Sequence, residues 1–183
     1  MSGDAKNTSL WNGADVFIAP LNTAGPNDTV TPWGVDWDAV GLLDGEEGFT
    51  ESRDQDTSEH YAWGGQLYRR TVSKHKRSFK FVALEDNDVV FDLVNPGSER
   101  TTATGVRTSK IKAPVAGQKF AIGFELRDNG RIKRRIAKIA EVSEVAEIKE
   151  SESDPTVYEI TVLVFPESDG TLYTTVEDDP EAA

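Results

Sequence analysis

The sequence predicts a mainly β protein, a β-sandwich or partly closed barrel with one short flanking α-helix, an extended N-terminal arm and a long charged loop. Three observations predict it. Alternating or β-branched runs recur along the chain, at Val16–Ala19, Ser78–Leu84, Lys119–Arg127 and Thr156–Phe165. Only one segment carries a clear one-sided helical stripe, Val89, Val90, Leu93 and Val94, ended by Pro96-Gly97. Asp128-Asn129-Gly130 separates two strand-like runs, and Asn-Gly supplies the positive φ angles of a tight hairpin turn.

Taken in order, residues 1–12 are polar, with Leu10 and Trp11 as large apolar groups, and read as an arm. A strand at Val16–Ala19 stops at Pro20, and Gly25-Pro26 and Pro32 mark a loop before a second strand, Val35–Leu43. Residues 44–59 read as a long acidic loop. From Gln66 a strand runs, with a break near Ser73–His75, into Ser78–Leu84. The helix spans 86–95 with Asp86 as its cap. Residues 98–105 read as a flexible loop, and Val106–Ala113 as a strand ended by Pro114. In Lys119–Arg127, Phe120, Ile122, Phe124 and Leu126 face one way and Ala121, Gly123, Glu125 and Arg127 the other. The turn at Asn129-Gly130 demands a returning strand, so Arg131–Lys149 is expected extended with a kink near Ala140. Thr156–Phe165 and Thr171–Val176 follow, and 177–183 reads as a disordered acidic tail. Residues 13–176 then form one domain, within the size a single core supports.

The 183 residues include no cysteine, which excludes disulfides and thiolate metal sites. The N-terminus lacks the basic-then-apolar layout of a signal peptide, and no apolar run approaches the roughly 18 residues of a membrane span, so a cytoplasmic site of synthesis is expected. A net charge of −12 disfavours adhesion to nucleic acid or anionic membrane. The charge is blocky. Seven acids against Arg53 give residues 44–59 a charge of −6, while Arg69–Lys80 holds six bases and no acid. Arg131–Lys138 adds five bases, and Glu141–Asp154 returns to −5. Opposed blocks on one chain suit a contact in which one face of a protomer meets a different face of its copy.

No phosphate loop, nucleophile elbow or zinc-helix motif is present, so no catalytic, metal or cofactor-binding residue is predicted. His60 and His75 read as surface residues. Asp54-Gln55-Asp56 and Asp86-Asn87-Asp88 lack the glycine and distal glutamate of a calcium loop. What remains is a surface for another chain. The loop residues Asp44, Glu46, Glu47, Glu51, Arg53, Asp54, Asp56 and Glu59, anchored by Phe49, Tyr61 and Trp63, are expected to stay mobile until they lie across a neighbouring subunit. Their basic counter-patch would be Arg69, Arg70, Lys74, Lys76 and Arg77 with Arg131, Lys133, Arg134 and Arg135. Trp33, Trp37, Tyr61 and Trp63 have three readings: an interface anchor, a carbohydrate platform in a monomeric binding module, or a satellite core beneath the loop.

The stretches WNGADVFIAP, VGLLDGEEGFTESRDQDTSEHYAWGG, FKFVALEDNDVVFDLVNPGS and ITVLVFPESDGTLY resemble the major tail proteins, or tail tube subunits, of long-tailed, siphovirus-type phages infecting actinobacteria. That resemblance implies a structural virion protein whose protomers form six-fold rings stacked into a tube for genome delivery. It implies as partners further copies of the chain, a tape measure protein, a tail terminator and distal tail or baseplate proteins, with no membrane. Assembly would take place in the host cytoplasm, and DNA would pass through the lumen without specific binding. An acidic lumen wall is then expected, with Glu125 and Glu159 as candidates, because a basic lining would hold the passing phosphates.

Overall fold

Asn129 (φ 50°) and Gly130 (φ 93°) turn strand β7 (Lys119–Asp128) back into β8 (Arg131–Val145), the hairpin on which the rest of the molecule is built. The computed structural model of the protein describes residues 7–113 and 117–179. The first six residues of the arm, the stop expected at Pro114 and the last four residues of the tail lie outside them.

On the free edge of β7 lies β1 (Gly13–Pro20), which pairs with it from Gly13↔Arg127 to Pro20↔Phe120 and carries a two-residue edge strand β2 (Asp38–Ala39). The other edge of β8 is shared. Its first half pairs with β10 (Thr174–Glu177), and its second half with β9 (Tyr158–Val164). Two register shifts fall on either side of Ala140, at Phe120/Ile122 between β7 and β8 and at Val142/Glu144 between β8 and β9. Beyond β9 come β4 (Leu67–Ala83) and β3 (Thr50–Tyr61), giving the order β2-β1-β7-β8-β9-β4-β3, antiparallel throughout.

This sheet is folded over rather than flat. β4 and β7 are three strands apart, which would be about 14 Å in a flat sheet. Yet the rings of Phe79 and Phe124 lie 4.9 Å apart. Val16, Ile122, Phe124, Phe81, Ile160 and Val162 meet in one core, and the sheet does not close, with β2 and β3 at its ends. The helix α1 (Asp88–Val94) lies against that core through Val90 and Leu93. Its cap is Asn87, not Asp86: Asn87 Oδ1 accepts from the Val90 amide (2.9 Å) while its Nδ2 donates to Val40 O (2.7 Å). Asp86 instead takes a salt bridge from Arg100 (2.6 Å).

Several elements differ from the sequence reading. The segment 98–105 is no loop. Glu99–Ala103 (β5) pairs with Val106–Lys110 (β6) through a turn at Thr104 and Gly105, and Arg100 reaches over the Phe91 ring at 4.0 Å to fasten this hairpin to α1. The expected strand at 35–43 shrinks to β2 and one bridge, Leu43↔Ala83. The start of the tail is ordered, since Asp178 accepts from Ile132 N (2.8 Å) and from the Thr29 hydroxyl. The largest correction is that residues 50–59 belong to a strand, leaving only 44–49 as a turn.

Candidate assembly surface

Only the inner end of β4, Arg77–Ala83, is flanked by β9. From Asp54↔Lys76 outward to Tyr61↔Leu67, β3 and β4 pair with each other alone. Apart from Thr71, every residue of 52–61 and 67–76 is exposed on whichever face it stands. At about 3.3 Å per residue, this two-stranded arm reaches roughly 30 Å beyond the body. A hairpin with no third strand and no covered face is marginal in water. The sequence signal for such an arm was masked, because a strand exposed on both sides has no apolar alternation. Only its β4 half, and the bulge opposite Asp54 and Asp56 where Lys74 takes φ 55°, were legible, the latter as the expected break near Ser73–His75.

Pairing also changes the charge argument. The acids of β3 are opposed by the bases of β4 in the same hairpin: Asp54 faces Lys76 and Glu59 faces Arg70. Lys74 bridges to Asp56 at 2.7 Å and Arg77 to Glu51 at 2.6 Å. Four of the seven acids of the −6 block, Glu51, Asp54, Asp56 and Glu59, therefore stand on the same hairpin as the bases, while Asp44, Glu46 and Glu47 precede it. Over the exposed residues 52–76 five bases oppose three acids, a charge of +2, so the remainder of the chain carries −14. A basic arm stands on an acidic body. Arg69, Arg70 and Lys76 make no salt bridge among the described residues.

At the root of the arm, Glu51 is half-buried. Its Oε1 accepts from Arg77 Nη1, Tyr173 Oη (3.0 Å) and Arg53 Nε (3.2 Å). Burial pushes this carboxyl up, but the bonds from Tyr173, Arg77 and Arg53 outweigh it and hold the group below the usual glutamate range. At the tip, Tyr61 and Tyr68 are largely exposed and Trp63 is entirely so, at 104%. His60 and His75 are exposed on the arm, as read from sequence.

The other predicted residues divide. Phe49 is half-buried, with its ring edge-on to Phe124 at 5.2 Å and packed against the protomer's own core. Asp44, Glu46 and Glu47 form the turn that leads into β3, with the Glu46 amide donating to Asp44 Oδ1. The second basic block is largely spent within the chain: Lys133 pairs with Glu177 (2.7 Å), Arg131 donates to Ser9 Oγ (3.2 Å), and Arg135 lies 5.8 Å over the Phe79 ring. Arg134 is only 4% exposed. Its Nε donates to Glu125 Oε2 (2.8 Å), and its Nη1 to Asp28 O and Thr31 O.

Glu125 is 7% exposed in this protomer, so it presents no carboxylate to a wall. It also accepts from Trp33 Nε1 (2.8 Å) and Arg127 Nη1 (2.6 Å). Burial alone would raise its carboxyl. The hydrogen bonds of Trp33 and Arg127 and the charge of Arg134 together keep it below the usual range. The face of β7 expected to point outward is thus covered by the loop 21–37, with Trp33 stacked on Phe17 at 4.5 Å and Trp37 edge-on to Trp33. For Trp33 and Trp37 the satellite-core reading holds, and no sugar platform is open there. Glu159 stands on the surface beside Lys80, 3.4 Å away.

One feature had no sequence signal at all. Between α1, the end of β1 and the start of β7 lies a cleft of about 440 Å³ floored by Ile18, Val89, Phe120 and Val142. Asp38, Asp92 and Glu141 stand around it with Lys119, whose ammonium sits 4.5 Å over the Phe165 ring. Among the described residues no group of three His, Asp or Glu is placed to hold a metal ion, and no helix is long and apolar enough to cross a membrane.

A family model described as phage tail tube protein matches residues 6–183. No curated protein matches the chain. Among solved structures, a chain of the sheath-tube complex of an extracellular contractile injection system, PVC, in its extended state is 10% identical, with 93% of each chain covered and a TM-score of 0.49. A chain of the PVC sheath/tube terminator is 12% identical, with 94% of this chain and 99% of that one covered (TM-score 0.47). A chain of the anti-feeding prophage tube-terminating cap is 10% identical, with 97% and 100% covered (TM-score 0.47).

Proposed function

This chain belongs to the phage tail tube protein family, a structural protein of the virion tail and not an enzyme, and we propose that it assembles by copies of itself into six-fold rings stacked as the conduit for the genome. The observation that carries the reading is the β3–β4 arm, exposed on both faces and of opposite charge to the body that bears it. A marginal hairpin gains its stability from a surface laid against it, and a basic arm is drawn to an acidic surface, of which every other copy offers one. The contact is heterologous, arm to body, and such contacts build rings and stacks rather than closed pairs. The unpaired edges of β2 and β3 are the natural places for strands of neighbouring copies to join.

Tape measure, terminator and distal tail proteins would meet the ends or the interior of such a tube. The acidic excess of the body suits a passage that must not retain DNA. Glu159 remains the candidate for that wall, whereas Glu125 serves the interior of the protomer.

The test is sedimentation velocity and negative-stain electron microscopy on purified protein over a wide range of concentration, with a tail initiator complex supplied. Rings or tubes are expected, and a strict monomer under every condition would refute the reading. A second sample replaces residues 55–75 with Asn-Gly, so that a two-residue turn joins the paired Asp54 and Lys76. The body should stay folded and assembly should be lost. Normal tubes from the shortened chain would remove the arm from the mechanism.

A further inference from the structure

The tip of the arm carries a bare indole near two bases and the cleft beside α1 carries apolar side chains among acids, and we infer that Trp63 of one copy seats in the cleft between α1, β1 and β7 of another. The inference rests on the self-assembly just proposed and adds the surface that receives the arm. An indole with no contact in its own protomer is costly to leave in water, and tryptophan is the side chain most often found at the energetic centre of an interface. The cleft, at about 440 Å³, has room for an indole, and Ile18, Val89, Phe120 and Val142 give it an apolar floor.

Charge favours the arm as the occupant. Three acids against one lysine surround the cleft, and that lysine is engaged with Phe165. Arg69 and Arg70 stand a few residues from Trp63 on the same arm, so they arrive with it at this acidic mouth. Asp92 makes no salt bridge among the described residues. Burial, then the neighbouring Asp88, raise its carboxyl above the usual range, with Arg100 opposing them, so an incoming cation is favoured there. The indole cannot come from the same protomer. The arm leaves the body at Arg77 on β4 and extends roughly 30 Å outward, while the cleft is built within the body from α1, the end of β1, the start of β7 and Glu141 and Val142 of β8.

The absence of cysteine makes the test direct. Ala62→Cys, beside the intact Trp63, and Gln118→Cys, in the lining of the cleft, are prepared as separate single variants, mixed in equal amounts at assembling concentration, and oxidised mildly. A disulfide-linked dimer in the mixture, absent from either variant alone, is the expected result. Rings or tubes without that dimer would overturn the cleft assignment while self-assembly stands. A dimer from Ala62→Cys alone would show that tips meet tips and would overturn it as well. Failure of the unaltered chain to assemble would remove both the inference and the reading beneath it. In parallel, Trp63→Ala should raise the concentration needed for assembly about tenfold or more, with Trp63→Phe between it and the parent. Assembly of Trp63→Ala at the parent concentration would contradict the seat.

Discussion

Replacing Arg134 with alanine is the sharpest probe of what holds the second face of β7. The guanidinium is buried and makes three bonds of 2.7 to 2.8 Å, to Glu125, Asp28 O and Thr31 O. Removing one partner of a buried ion pair costs about 3–5 kcal/mol, because the other charge is left in a poor solvent. Glu125 keeps Trp33 and Arg127 as donors, so the lower end, about 3 kcal/mol, is the reasoned figure. A protein of this size loses about 2–4 °C of melting temperature per kcal/mol, so a drop of roughly 6–12 °C is expected. Thermal unfolding followed by circular dichroism, at a concentration too low for assembly, reads it. Arg134→Lys keeps the charge but cannot donate toward Glu125 and the two carbonyls at once, and should fall between. A change of less than about 1 °C for Arg134→Ala would refute the account of this network.

Other outcomes follow from the same packing. Gly123→Ala would bring a Cβ within 2.2 Å of the Trp33 ring, and the forced shift should cost about 1–3 kcal/mol in urea unfolding. Phe49→Ala should destabilise the isolated protomer by about 2–4 kcal/mol, readable as a lower urea midpoint, because the ring belongs to the core. An unchanged midpoint with weaker assembly would return Phe49 to the interface. The folded pKa values of Glu51 and Glu125 are both depressed, so the stability they contribute is present above the ordinary glutamate range and lost as pH falls through the depressed values. Glu125→Gln should flatten that acid limb of the stability curve, and a limb as steep as the parent's would show that other carboxylates set it.

Where one periodicity dominates, sequence and structure agree. Lys119–Arg127, the Asn129-Gly130 turn and the return strand through Ala140 are as read, because alternation and turn chemistry act over few residues. Residues 44–59 and 98–105 read as loops although β3 and β5 run through them, because a polar strand exposed on both sides alternates nothing. The charge of the arm was misjudged for the same reason: a net count along one segment cannot see the bases that register places opposite it. Glu125 reads as a residue of an open face because nothing local says that Trp33, 92 residues away, will cover it. The place of Trp63 at a projecting tip was half visible, as an aromatic beside Gly64-Gly65, but the cleft depends on five separated segments and had no linear signature.

A helical reconstruction of the assembled protein by electron cryomicroscopy tests the central claim most directly. It should show rings of six copies in which β3 and β4 of each chain lie against an acidic body surface of another copy, with their outer residues covered. A tube whose β3–β4 arms stand free in solvent, touching no neighbour, would contradict it.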